Sequence, residues 1–271
     1  MPAEPNKQTN ESLATRLRTI PNTLPVQLEQ VPLVQAIFEV RFQLQKDSIS
    51  LFPSLVLKEL GNEYGRSEVS AIASIPREIR ENDPNLRYQP QYVFRGEAGA
   101  SVSIGERVAS VIVLAPYEGW SNFRLRINNF VSVLQDSQFV QRVERFSLKF
   151  LNLLEAPENQ QLNLIHLTAQ LGGMKVPERG FRLRTEVTDD KALRIVEIVT
   201  NAEATVPGVG KKTGLLVSLD CIKELTNDDF WSTRDERIEE VHWDLKQLFF
   251  GIIKEETLVR LRPIYGNDAR H

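Results

Sequence analysis

Cysteine is nearly absent from this chain, with one residue, Cys221, among 271. An intrachain disulfide is therefore excluded, and so is a metal site built from several thiolates. Cys221 sits in the alternating run GLLVSLDCI, so its default reading is a reduced, buried thiol and not a nucleophile. Histidine is scarce as well: there are three, and no His-x-x-x-His spacing occurs. His271 is terminal, His166 falls in a strand pattern, and His242 falls in the last helix near Glu239 and Asp244, either of which could pair with it. These scarcities predict no metal and no cofactor.

Long apolar runs are missing too. None approaches the roughly 20 residues that cross a bilayer as a helix, and the first 25 residues hold no apolar signal-peptide core. The expectation is a cytoplasmic protein that makes no membrane contact. No charge of one sign dominates either, since 33 basic residues meet 36 acidic ones for a net of -3. That balance argues against a general nucleic-acid binder. Locally it breaks. Residues 225–256 carry nine acidic and four basic side chains, a net of -5, which suits either solubility or a basic partner. In mid-chain, Arg77, Arg80, Arg87, Arg95, Arg107, Arg124, Arg126, Arg142 and Arg145 would form an anion-binding stripe if folding gathered them.

Signatures of catalysis are also lacking. PGVGKKTG (207–214) invites comparison with a phosphate loop, but Thr205 stands where the first glycine belongs, and Lys212 separates Lys211 from Thr213. A strand pattern follows it where a phosphate loop needs a helix, so the stretch reads as a hairpin loop. No Gly-x-Ser-x-Gly elbow occurs. The carboxylate-rich stretches NDD and RDERIEE read as solvated helix faces.

What is present is ordinary globular material: 41% hydrophobic and 25% charged residues, enough for one large core or two small ones. Residues 1–30 are polar and proline-punctuated, and predict a disordered arm. From there Phe38, Val40, Phe42 and Leu44 alternate with polar residues, the period of a half-buried strand. LFPSLVLKELGNEYG predicts a short helix, and QYVFRG, GASVSIG and RVASVIVLA predict three strands with glycine at the turns. A helix is expected from Pro116, its stripe running through Trp120, Phe123, Ile127, Phe130, Val131 and Leu134. RFSLKFLNLL alternates as another strand, and further strands are expected at 161–170, 180–187, 192–200 and 214–222. A last long helix is placed near Ser232, whose spacing to Asp235 resembles a capping box, and EETLVRL adds a short one. The pattern predicts an α+β fold: a largely antiparallel sheet with amphipathic helices on one face, in two similar meander-plus-helix halves at 31–155 and 156–271 forming one compact unit.

The stretch LAPYEGWSNFRLRI (114–127) stands out. Pro116 suits the first turn of a helix and Glu118 its positive end. Gly119 inside a helix would cost about 1 kcal/mol against alanine, which predicts a close approach to its backbone by a strand, a ligand or a partner. Tyr117, Gly119 and Trp120 are therefore the candidate rim of a binding groove, with Arg145 and Asn152 the nearest polar candidates.

PLVQAIFEVRF (32–42), APYEGWSNF (115–123), RFSLKFLN (145–152) and HWDLKQLFFGIIKEETL (242–258) follow one another in an order that resembles a sporadically distributed prokaryotic family of uncharacterised proteins. In that family the third motif usually reads arginine-x-glycine-leucine-arginine-tyrosine-isoleucine-asparagine. Arg145 and Asn152 match its ends, whereas Ser147, Lys149 and Phe150 depart from it. The resemblance implies no catalytic residue or cofactor, and its patchy distribution implies mobile or defence-related cargo. Three functional readings follow. The first is a non-catalytic module binding a protein partner or small ligand. The second is a nucleotide- or nucleic-acid-acting effector using the central arginines. The third is a homo-oligomer subunit joined at a sheet edge.

Overall fold

A computed structural model describes residues 23–45, 51–61, 63–176, 179–189, 191–226 and 230–266. Within them the chain forms β1 (Gln27–Leu28), β2 (Leu33–Leu44), α1 (Phe52–Leu60), β3 (Arg66–Val69), α2 (Arg77–Asn82), β4 (Tyr92–Arg95), β5 (Ala100–Ile104) and β6 (Val108–Leu114). The long helix α3 (Trp120–Asp136) and the long strand β7 (Val140–Leu154) follow. The remainder is β8 (Gln170–Leu171), β9 (Met174–Lys175), β10 (Arg182–Thr188), β11 (Leu193–Val206), β12 (Gly210–Glu224), α4 (Phe230–Ile252), α5 (Glu255–Arg260) and β13 (Pro263–Ile264).

Nine of these strands make one antiparallel sheet in the order β10-β11-β12-β7-β2-β6-β5-β4-β3. The expected α+β architecture is present, and the two meanders share that single sheet. β2 starts the first meander and β6 returns to its side; β7 starts the second and β12 returns to its side. The two starting strands then pair with each other, Phe38 opposite Leu148 and Val40 opposite Phe146.

Period-two alternation decides which face is covered. Phe38, Val40 and Phe42 of β2, Val102 of β5, Val111 of β6, Phe146 and Leu148 of β7, and Val217 and Leu219 of β12 are buried on one face. Over that face lie α3, through Phe123, Ile127, Phe130 and Leu134, and α4, through Ile238, Val241, Leu245 and Leu248. The two helices run antiparallel: Arg124 near the start of α3 meets Glu239, while Gln135 near its end meets Arg234. α1 extends the layer, with Phe52 packed edge-on against Phe42 at 5.5 Å.

One charge lies inside this layer. Arg194 of β11 points under α4 with only 2% of its side chain exposed, bonded to Asp189 at 2.9 Å and to Asp244 of α4. Cys221 sits beside it, fully buried, with burial as the main cause of a thiol pKa pushed up to about 12. The PGVGKKTG stretch is the β11–β12 hairpin, with Gly208 and Gly210 at positive φ.

Four expectations need correction. Residues 161–170 are not a strand. After Pro157 the chain takes a 3₁₀ helix over Glu158–Leu164, held by the buried Gln161 amide, which accepts from the Asn201 N–H at 2.7 Å and donates to its side chain at 3.0 Å. α3 begins at Trp120, so Pro116 precedes the helix, joined to Ala115 by a cis peptide bond. α4 begins at Phe230, which puts Ser232 inside it and not at a cap. The stretch expected as an arm is ordered in part: β1 pairs with β13, Gln27 opposite Ile264, while residues 1–22 lie outside the described residues.

A cleft between α3, α4 and the β1 segment

The short connection from β6 to α3 decides where this site forms. Ala115 N–H bonds the Val34 carbonyl at 3.0 Å, which fastens the connection to β2. Gly119 then turns the chain at φ +93° and caps the helix, its carbonyl accepting the Phe123 N–H at 3.2 Å. A side chain with Cβ is strained at such a φ, which is why glycine stands here. A Cβ built at Gly119 would meet nothing within 4 Å. The expected close approach to this backbone is therefore not the reason for the glycine; the left-handed turn is.

That turn sets Trp120 on α4. Its indole N–H donates to both carboxylate oxygens of Glu239, at 3.0 and 3.2 Å, and its ring stacks on His242 with centroids 3.8 Å apart and planes 6° from parallel. Glu239 also accepts from Arg124 at 3.0 Å and lies 3.5 Å from His242 Nδ1. Burial holds His242 down to about pKa 4, outweighing the opposing pull of Glu239. His242 is thus a neutral packing surface at physiological pH. Asp244, the other carboxylate near it in sequence, is taken up by Arg194. Tyr117 packs beneath, 6.4 Å from the Phe150 ring, and burial raises its phenol pKa.

Beside this aromatic stack opens a cleft of about 820 Å³. Its floor is Phe150 and Asn152 of β7, one side is α4 from Glu239 to Phe250, and the other is the segment from Pro25 to Leu33 that carries β1. Asn152 is buried, its amide donating to the Val217 carbonyl at 3.4 Å. The lining is mainly apolar, with polar groups spread among it, Gln27 on the β1 segment, Glu118 before α3 and Lys246 on α4 included, the usual make-up of a binding site. Its mouth leaves apolar surface in water: Trp243 is 46% exposed, Val26 55% and Val31 45%.

Four of the five candidate site residues meet here: Tyr117, Gly119, Trp120 and Asn152 all line the cleft. Arg145 does not. It lies seven residues before Asn152 on β7, and an odd spacing on a strand reverses the face. There, on the face away from the helices, Arg145 bonds Glu39 at 3.3 Å beside Arg41 and Asp220. Trp243, Val26 and Val31 were not singled out from the sequence, yet they form the mouth. The signal for Trp243 was its position off the Ile238–Val241–Leu245 stripe, where a large aromatic needs a reason.

The central arginines are paired with carboxylates or carbonyls and do not form one free anion-binding stripe. Arg77 and Arg80 hold Glu106, Arg95 holds Glu68, Arg107 and Arg142 face Glu144, and Arg126 holds Glu63. Arg124 and Arg145 are committed to Glu239 and Glu39, and Arg87 donates to the Glu81 carbonyl. Among the described residues no group of three His, Cys, Asp or Glu side chains could hold a metal ion, and no helix is long and apolar enough to cross a membrane. Set against known proteins, the chain matches no protein-family model and no curated sequence.

Proposed function

We propose that this protein is a non-catalytic cytoplasmic interaction module whose cleft takes an apolar segment of a partner polypeptide. The observation that carries the reading is the cleft mouth: Trp243, Val26 and Val31 stay exposed around a concave, mainly apolar floor. Contiguous exposed apolar surface of this kind marks interaction sites in proteins that otherwise bury such groups. Several polar groups at the cleft are already engaged, Trp120 and Arg124 with Glu239 and Asn152 with the Val217 carbonyl, which suits recognition by shape more than chemistry on a substrate. The motif resemblance supports placing the chain in the sporadically distributed prokaryotic family, and with it a role in a mobile or defence-related system. The arginine-based effector reading is weakened by the pairing of those side chains.

The test is native mass spectrometry on the protein purified from its own host, beside a Trp243→Glu variant. A stoichiometric polypeptide that accompanies the native protein and is lost from the variant supports the reading. A bare monomer or homo-oligomer in both overturns it.

A further inference from the structure

A second cavity, of about 450 Å³, borders the same Val31–Leu33 stretch that walls the cleft. Its floor is apolar: Leu33 and Val34, Ala115 and Pro116, and Leu153 and Leu154 from the end of β7. The backbone around that floor is already satisfied. The Pro32 carbonyl accepts from the Leu153 N–H and the Val34 carbonyl from the Ala115 N–H, while the Leu164 carbonyl takes the Lys254 N–H and the Thr257 hydroxyl. A polar group laid on this floor would give up water for no new bond, so the floor favours an apolar body. The volume is that of a small-molecule site.

The rim is cationic. Lys212 comes from the β11–β12 hairpin, Arg260 from the last turn of α5 and Arg262 from just beyond it, and they meet a single carboxylate in the lining, Glu155. That excess of positive charge stands in a chain whose net charge is -3. Glu155 accepts from Lys212 at 2.6 Å, and Glu29, outside the lining, pairs with Arg262 at 3.5 Å. Glu255 and Glu256, in the first turn of α5, do not line the cavity. Among the described residues no ion pair holds Arg260; it donates to the Glu155 main-chain carbonyl at 3.2 Å. A basic residue at a helix end commonly bonds the terminal carbonyls. Here those of Leu261 and Arg262 accept from the Gln30 and Glu29 N–H groups, at 3.1 Å each. Arg260 thus has donors to spare at the rim.

We propose that this cavity binds a small organic anion, an apolar body carrying one carboxylate or phosphate head. The body lies on Leu33, Leu153 and Leu154, and the head meets the Arg260 fork, whose planar donors match either group in bidentate fashion. Lys212 and Arg262 add positive field beside it. The PGVGKKTG hairpin, which is no phosphate loop, gains a role: it carries Lys212 and the exposed Val209 to the rim.

Octanoate, octyl phosphate and octanol share a body and differ in the head, and titration calorimetry on the full chain compares them. At least one of the two anions should bind saturably at one site per chain, about tenfold or more tighter than octanol, because octanol lacks the charge-assisted bond. The tighter anion identifies the head. Arg260 is exposed, so Arg260→Met should leave the urea midpoint in place while weakening the anion about tenfold or more and sparing octanol. Trp243→Glu, which disrupts the partner cleft, should leave anion affinity unchanged, so the two sites succeed or fail separately. Octanol binding as tightly as the anions overturns the inference, as does anion affinity that ignores Arg260→Met or is lost on Trp243→Glu. No saturable binding of either anion up to millimolar concentration overturns it as well.

Discussion

Replacing Arg194 by methionine isolates the one charge buried beneath α4. The guanidinium holds Asp189 in the β10–β11 turn and Asp244 on α4, so its removal strands two carboxylates at once. Methionine fills nearly the same volume, and no large cavity contributes. Breaking a buried pair by removing one partner costs about 3–5 kcal/mol. Here the carboxylates keep 18% and 23% of their side chains in water, so the expected loss is trimmed to about 2–4 kcal/mol. That would be a large share of a typical total of roughly 5–15 kcal/mol. Urea unfolding followed by circular dichroism should show a lower midpoint with an unchanged slope. Adding Asp244→Leu to Arg194→Met should recover part of the loss, because an apolar contact then replaces a stranded charge. A single-variant loss below about 1 kcal/mol, or a double variant worse than the single, would refute the argument that the ion pair matters by satisfying buried charge.

Four further outcomes are expected. Gly119→Ala should cost about 1–2 kcal/mol in thermal or urea unfolding, wholly from its positive φ since the space around it is open. Trp120→Phe keeps the stack on His242 but loses the indole bond to Glu239, and should cost about 1 kcal/mol by the same measurement. His242, held down to about 4 mainly by burial, refuses a proton that the unfolded chain accepts near pH 6.5. Stability should therefore fall by about 2–3 kcal/mol as pH drops from 6.5 to 4, and His242→Gln should flatten that slope. Asp220, raised to about 6 mainly by burial, works in the opposite sense: its charged form is disfavoured in the fold above pH 6 and the penalty lifts on acidification. Asp220→Asn should stabilise by about 1–2 kcal/mol at pH 7.5 and by nothing near pH 4 in urea titrations at the two values.

The strands were legible because the fold uses one face of each. Alternation at Phe38–Leu44 and Phe146–Phe150 reports helices packed over those side chains, and it needs no knowledge of which helices. The existence of α3 was legible from its apolar stripe, but its start was not. The stripe does not show where the first turn begins, and Pro116 and Gly119 belong to the turn before the helix. Residues 161–170 misled because Leu162, Leu164 and the apolar residues after them mimic a strand, while the Gln161–Asn201 bonds that bend them come from 40 positions away. The pairing of Arg145 with Asn152 as one site failed on parity alone, and the odd spacing was in plain view. The cleft mouth was out of reach for a different reason. Val26 and Trp243 are brought together by the β1–β13 ribbon, a pairing of two residues on each side with no periodicity to announce it.

The seam between β2 and β7 governs how this protein is made. β2 ends at Leu44, and its partner on one side, β7, starts only at Val140. At a synthesis rate of about 5–20 residues per second, that interval of about 100 residues leaves one edge of β2 unpaired for roughly 5–20 s on the ribosome. The exposed strand is LVQAIFEVRFQL, rich in Val, Ile and Phe, which is the composition that pairs readily with a neighbouring nascent chain. Glu39 and Arg41 in its middle act as gatekeepers during that wait, before they become the charged floor of the finished sheet. Slowing translation between codons 45 and 140 should thus favour aggregation, and neutralising Glu39 and Arg41 together should aggravate it more in synthesis than in refolding from urea.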